Sequence, residues 1–67
     1  MSVAKVVEIS SASDKSFEDA VNQGIERASK TLSNIKGVWI KEQSAAIENN
    51  KISEYRVDMK VTFILNG

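Results

Sequence analysis

The chain has no cysteine, no histidine and no proline among its 67 residues. Without cysteine there is no disulfide and no thiol nucleophile, and without cysteine or histidine the usual zinc ligand sets are excluded. Charge of one sign is missing as well, since nine basic and nine acidic residues cancel to a formal net charge of zero. A protein that neutralises phosphates needs a basic excess, so nucleic acid is not expected as a partner. No apolar run approaches the ~20 residues of a membrane span. Patterned sequence begins at Val3 with no apolar signal segment before it. The three glycines form no phosphate-cradling loop. These absences lead us to expect a soluble, cytoplasmic protein with no nucleic-acid or membrane partner.

What the chain does have is alternation. From Ile52 to Leu65, Tyr55, Val57, Met59, Val61, Phe63 and Leu65 fall on one side, and Glu54, Arg56, Asp58, Lys60, Thr62 and Ile64 on the other. Successive strand side chains point to opposite faces, so this is one long strand with an apolar face and a charged face. It is much longer than the usual ~5–6 residues, and the rest of the chain has little else to pack on.

Val3 to Ser10 reads as a first strand, with Lys5, Val7 and Ile9 on one face and Ala4, Val6 and Glu8 on the other. The run Ser10-Ser11-Ala12-Ser13 reads as its end. The spacing of Phe17, Ala20, Val21, Gly24, Ile25, Ala28 and Leu32 predicts one amphipathic helix over Ser13 to Ser33. Ser16 and Asp19 resemble a capping box, with Ser13 a competing N-cap. Gly24 lies on the apolar stripe, where it either admits a close approach of helix to sheet or is simply tolerated. Lys36-Gly37 opens a second strand, Val38 to Ile47, whose Val38 and Ile40 should meet the helix. Asn49-Asn50 then supplies the positive φ of a hairpin turn. The expected fold is α+β, in the order β-α-β-β: a three-stranded antiparallel sheet packed on one helix, forming a single domain over residues 1–67.

Such a chain is small. About 60 residues bury only ~60% of the surface their unfolded form exposes, and small domains usually add disulfides, metals or partner subunits. With the first two missing, self-assembly is the expected support.

Catalysis finds no agent. Glu42, Glu48, Glu54 and Asp58 are interleaved with Lys41, Lys51, Arg56 and Lys60, and cross-strand ion pairs explain that pattern without an acid–base site. No enzyme is expected. The informative residues are Trp39, Gln43 and Arg56, read as lying on the sheet face away from the helix. A lone Trp and a guanidinium there fit a platform for a flat ligand, with Trp39 stacking and Arg56 or Gln43 at its edge. They fit a subunit interface equally in kind, since Trp and Arg are favoured interface anchors. The residues alone favour the interface.

The opening Val3-Ala4-Lys5-Val6-Val7-Glu8-Ile9, the helix start Ser13-x-x-Ser16-Phe17, the Ala20 to Lys30 helix with Arg27-Ala28, and the close Glu54-Tyr55-Arg56-Val57-Asp58-Met59-Lys60-Val61-Thr62-Phe63 together resemble the dodecin family over nearly the whole chain. The resemblance implies a hollow homododecamer that stores or sequesters flavin, such as FMN or riboflavin, stacked between tryptophans at subunit interfaces. Ligand site and interface would then be one place. Two positions depart from the family. Its stacking Trp aligns with Gly37, leaving Trp39 on the same face but ~7 Å along the strand. Its edge-binding Gln aligns with Arg56, and a guanidinium only donates where an amide both donates and accepts. Calcium has been associated with dodecin-like proteins that share this Arg and lack the Trp. The resemblance therefore implies Trp39, Arg56, Gln43 and Gly37 as flavin contacts. As the alternative, it implies a flavin-free shell binding Ca²⁺ or another hard cation through carboxylates such as Glu42, Glu54 or Asp58.

Overall fold

The computed structural model describes residues 2–65; Met1, Asn66 and Gly67 lie outside the described residues. Four elements follow one another: β1 (Val3–Ser13), α1 (Phe17–Ala28), β2 (Ile35–Glu48) and β3 (Lys51–Leu65). The sheet order is β1-β3-β2, and both pairings are antiparallel. The long alternating strand is thus the central one, and the α+β, β-α-β-β reading holds. Val57, Met59 and Val61, the apolar positions of β3, are 1% exposed or less. Val57 and Met59 meet Ala20 of the helix, with Ile9, Phe17, Val21 and Ile40 packed around them. Phe17 stands edge-on to Tyr55, with ring centroids 5.0 Å apart.

β1 runs three residues past the expected end at Ser10, and Ser11, Ala12 and Ser13 stay in register with Val57, Arg56 and Tyr55. The serines continue the strand because the helix comes close there. A Cβ on Gly24 would stand 2.5 Å from Met59 Cε and 3.1 Å from Ser11 Cβ. Gly24 therefore marks a close approach, and small side chains on the facing strand share in it.

The helix is shorter than Ser13 to Ser33 at both ends. Ser16 is the N-cap, its hydroxyl accepting from the Asp19 amide at 2.9 Å. Ser13 instead donates its hydroxyl to the Asp19 carboxylate at 2.5 Å. At the other end Ser29 caps, and the amides of Thr31 and Leu32 both turn back to the Ala28 carbonyl, at 3.1 and 2.9 Å. Asn34, at φ 62°, then redirects the chain into β2, which begins earlier than expected, so that Lys36-Gly37 lies inside the strand.

The hairpin turn falls on Asn49-Asn50, at φ 54° and 64°. Positive φ at both central residues is the type I′ signature, whose twist suits a two-residue hairpin. The register carries three irregularities, at Ile35/Gly37, Ile40/Glu42 and Ala46/Ile47. α1 lies over β1 and β3, not over β2. Hence Ile40 reaches the core but Val38 does not, remaining 40% exposed.

Candidate functional site

The sheet face away from the helix carries the candidate residues, and the register arranges them in rows. Val6, Thr62 and Gly37 share one row; Glu8, Lys60 and Trp39 the next; then Ser10, Asp58 and Glu42; then Ala12, Arg56 and Ser44. Alternation on the two outer strands follows from β3, because paired residues share a face.

Trp39 stands in the second row and is 74% exposed. With Val6, Lys41, Lys60 and Thr62 it lines a depression of about 490 Å³. Lys41 is the extra residue of the bulge at Ile40/Glu42, and bulges re-aim a side chain. Its ammonium reaches Glu8 Oε1 at 3.4 Å. Glu8 is on β1 and Lys41 on β2, so the Lys41 stem passes over β3 to make that contact.

Gln43 is not beside Trp39. Strict alternation from Trp39 through Lys41 assigns it to the outer face, but the extra residue Lys41 reverses the phase. Gln43 pairs with Val57, a helix-facing core residue, while Glu42 and Ser44 take the outer positions. Gly37 does share the outer face with Trp39, and nothing lies within 4 Å of where its Cβ would be. Arg56 also faces outward, four positions along β3 from Lys60, or about 13 Å. It donates through Nε and Nη2 to Glu54 Oε2, at 3.2 and 3.0 Å. Arg56 and Trp39 therefore occupy separate patches of one protomer's face.

Of the candidate cation ligands, Glu42 and Asp58 are directly opposite each other. Asp58 accepts from the Ser10 hydroxyl at 2.6 Å, while Glu54 is engaged by Arg56. Like charges facing across a ladder are unfavourable, and a cation between them would relieve this. Lys60 and Arg56 occupy the flanking rows. Among the described residues no group of three Asp, Glu, His or Cys side chains converges as a metal site. No described helix is long and apolar enough to cross a membrane.

Lys41, Lys60, Val6 and Thr62 are the surroundings of Trp39 that the sequence reading did not single out as a site. A usable signal existed for Lys60. Counting back from the Asn49-Asn50 turn places it opposite Trp39, because the bulge at Ala46/Ile47 adds a residue to β3 and that at Ile40/Glu42 adds one to β2, and the two cancel.

Comparison with known proteins fits this geometry. The dodecin family model matches residues 3–66. The calcium dodecin of Mycobacterium tuberculosis is 32% identical over 63 residues, covering 94% of this chain and 89% of that protein. Its crystal structure, described as that of a calcium-chelating antigen with a novel calcium-binding site, superposes with a TM-score of 0.82 at 31% identity, covering 96% of this chain and 91% of that one. A dodecin from Streptomyces davaonensis superposes with a TM-score of 0.94 at 30% identity, over 98% of this chain and 97% of its own. The element order, the central β3 and a family match over nearly the whole length lead to one conclusion: this chain belongs to the dodecin family.

Proposed function

We propose that the chain is the protomer of a hollow homododecameric shell that stores or sequesters a flavin, FMN, against Trp39, as a binding protein and not an enzyme. The observation that carries the reading is Trp39 itself: an indole 74% exposed, over a depression of about 490 Å³ on a face no element of its own protomer covers. A flat heteroaromatic ring is the natural partner of an indole face. Open space over Gly37 leaves room for such a ring to extend along β2. The group brings a planar redox-active ring when bound; this chain's part is to stack it, shield it from water and hold its charged tail. Gln43 has no part in this site, and Arg56 serves a second patch, toward a neighbouring protomer.

Flavin fluorescence tests the reading. FMN titrated with the wild-type protein should lose emission saturably at micromolar concentration, and Trp39→Ala should abolish the loss while far-UV circular dichroism is kept. Undiminished emission with the wild-type protein would remove flavin from the account.

A second reading has its own observation, the carboxylate pair Glu42–Asp58, and its own support in the relative named calcium dodecin. Ca²⁺ takes 6–8 oxygen ligands, so two carboxylates and the Ser10 hydroxyl would need completion from a second protomer. In this reading the shell binds a hard cation. Calorimetry with Ca²⁺ should then show saturable heat that Asp58→Asn removes; absence of heat beside a positive FMN titration decides for the flavin.

A further inference from the structure

We propose that Lys60, assisted by Lys41, makes the Trp39 depression selective for ring ligands that carry a phosphate, so that FMN is held in preference to riboflavin. This rests on the reading of Trp39 as a flavin-stacking surface.

Three groups decide the charge at the depression. Lys60 lies directly opposite Trp39 on β3, with Glu8 on its other side. Lys41 crosses the sheet to the same Glu8. Two ammonium groups thus share one carboxylate, leaving an excess of one positive charge. The ion pairs among the described residues are Lys41–Glu8 and Arg56–Glu54, so the half-buried Lys60 has no carboxylate bound to it and three donors to offer. The nearest competing anions are Asp58 and Glu42, one row away. Asp58 is turned to the Ser10 hydroxyl on β1, and Glu42 lies beyond the bulged Lys41. The opposite side of the depression, Val6 and Thr62, carries no charge. A ring lying on Trp39 along that wall puts its tail within reach of Lys60. There an ammonium–phosphate contact, partly shielded by the ring, is stronger than the same contact in open water. Without a phosphate, the excess charge meets a neutral tail and contributes nothing.

The test uses FMN and riboflavin, with flavin emission as the readout, on the full chain as it assembles. Wild-type protein should bind FMN about tenfold more tightly than riboflavin, and the gap should narrow as salt rises from low to physiological strength. Lys60→Gln should cost FMN far more affinity than riboflavin and so close the gap between them; Lys41→Gln, which frees Glu8 to pair with Lys60, should do the same in part. Equal affinity for the two flavins in the wild-type protein overturns this inference and leaves the Trp39 reading standing, as does an equal loss for both flavins in Lys60→Gln. Binding of neither flavin overturns both. Circular dichroism and particle mass of each variant identify one that has failed to fold, and in that case Lys60→Arg, which keeps the charge, must retain the preference for FMN or the inference fails.

Discussion

Two contacts refine the joint that the core makes between helix and sheet. Gly24 is the first. A helix interior gains ~1 kcal/mol when Gly becomes Ala, yet here the added methyl would meet Met59 Cε at 2.5 Å and Ser11 Cβ at 3.1 Å. The methionine tip is flexible but fully buried, and the serine Cβ is tied to the backbone of β1. Overpacking of this kind costs about 1–3 kcal/mol, more than the helix gains. Gly24→Ala should therefore lower the urea midpoint of unfolding; a raised midpoint would show that the close approach is slack. The second contact is Ser13 with Asp19. The Ser13 hydroxyl holds the Asp19 carboxyl below the usual aspartate range against desolvation, the next-largest effect, with the Gln23 amide and the Lys15 ammonium adding lesser lowering effects. A carboxyl depressed in the folded state stabilises above its unfolded value, ~3.9, and that stability is lost as pH falls through the lower folded value. Ser13→Ala should move the Asp19 titration upward in carboxyl-detected NMR. An unmoved titration would mean the hydroxyl is not its cause.

Among the elements, β3 is legible from Tyr55 to Phe63 and β2 only in part. Over that stretch of β3 every second residue is apolar and the burial follows, because the strand is flanked on both sides and covered by α1. A single period then has one reading. β2 is an edge strand that α1 does not cover, and its middle, Lys41-Glu42-Gln43-Ser44, is polar throughout. A polar run has no apolar phase to lose, so nothing in it reveals the bulge that turns Gln43 to the other face. Residues 42–46 sit between two bulges with a register shifted by one, while Trp39 lies outside that interval and was assigned correctly to the outer face. The serines of β1 mislead for another reason: small polar residues signal turns in isolation, and only the close approach of Gly24 to Ser11 shows why a strand would use one. The turn was legible because Asn-Asn tolerates the positive φ that it adopts. Glycine tolerates it better. Asn50→Gly should stabilise the hairpin by about 0.5–1 kcal/mol, read as a higher thermal midpoint with flavin binding unchanged. A lower midpoint would mean that the Asn50 side chain contributes something the backbone does not show.

For the whole molecule, shape and surface argue against a solitary protomer. The chain spans 51 × 19 × 13 Å with a radius of gyration of 13.8 Å, against about 11 Å for a compact chain of this length. It exposes 5032 Å², where a monomer of its mass would expose about 4,200 Å². The excess, roughly 800 Å², matches one partner's share of a standard interface. Exposed Val6, Trp39, Ile47 and Ile52 are part of it. Burying a large apolar side chain contributes about 2–3 kcal/mol per site, and a closed symmetric shell repeats that gain at every interface. Trp39→Ala and Arg56→Glu should accordingly shift the particle toward smaller species at micromolar concentration. Native mass spectrometry of the wild-type chain tests the central claim most directly. A shell predicts one dominant species at about twelve times the 7.4 kDa protomer, and a monomer or dimer as the dominant species at micromolar concentration would contradict both the shell and the ligand site that rests on it.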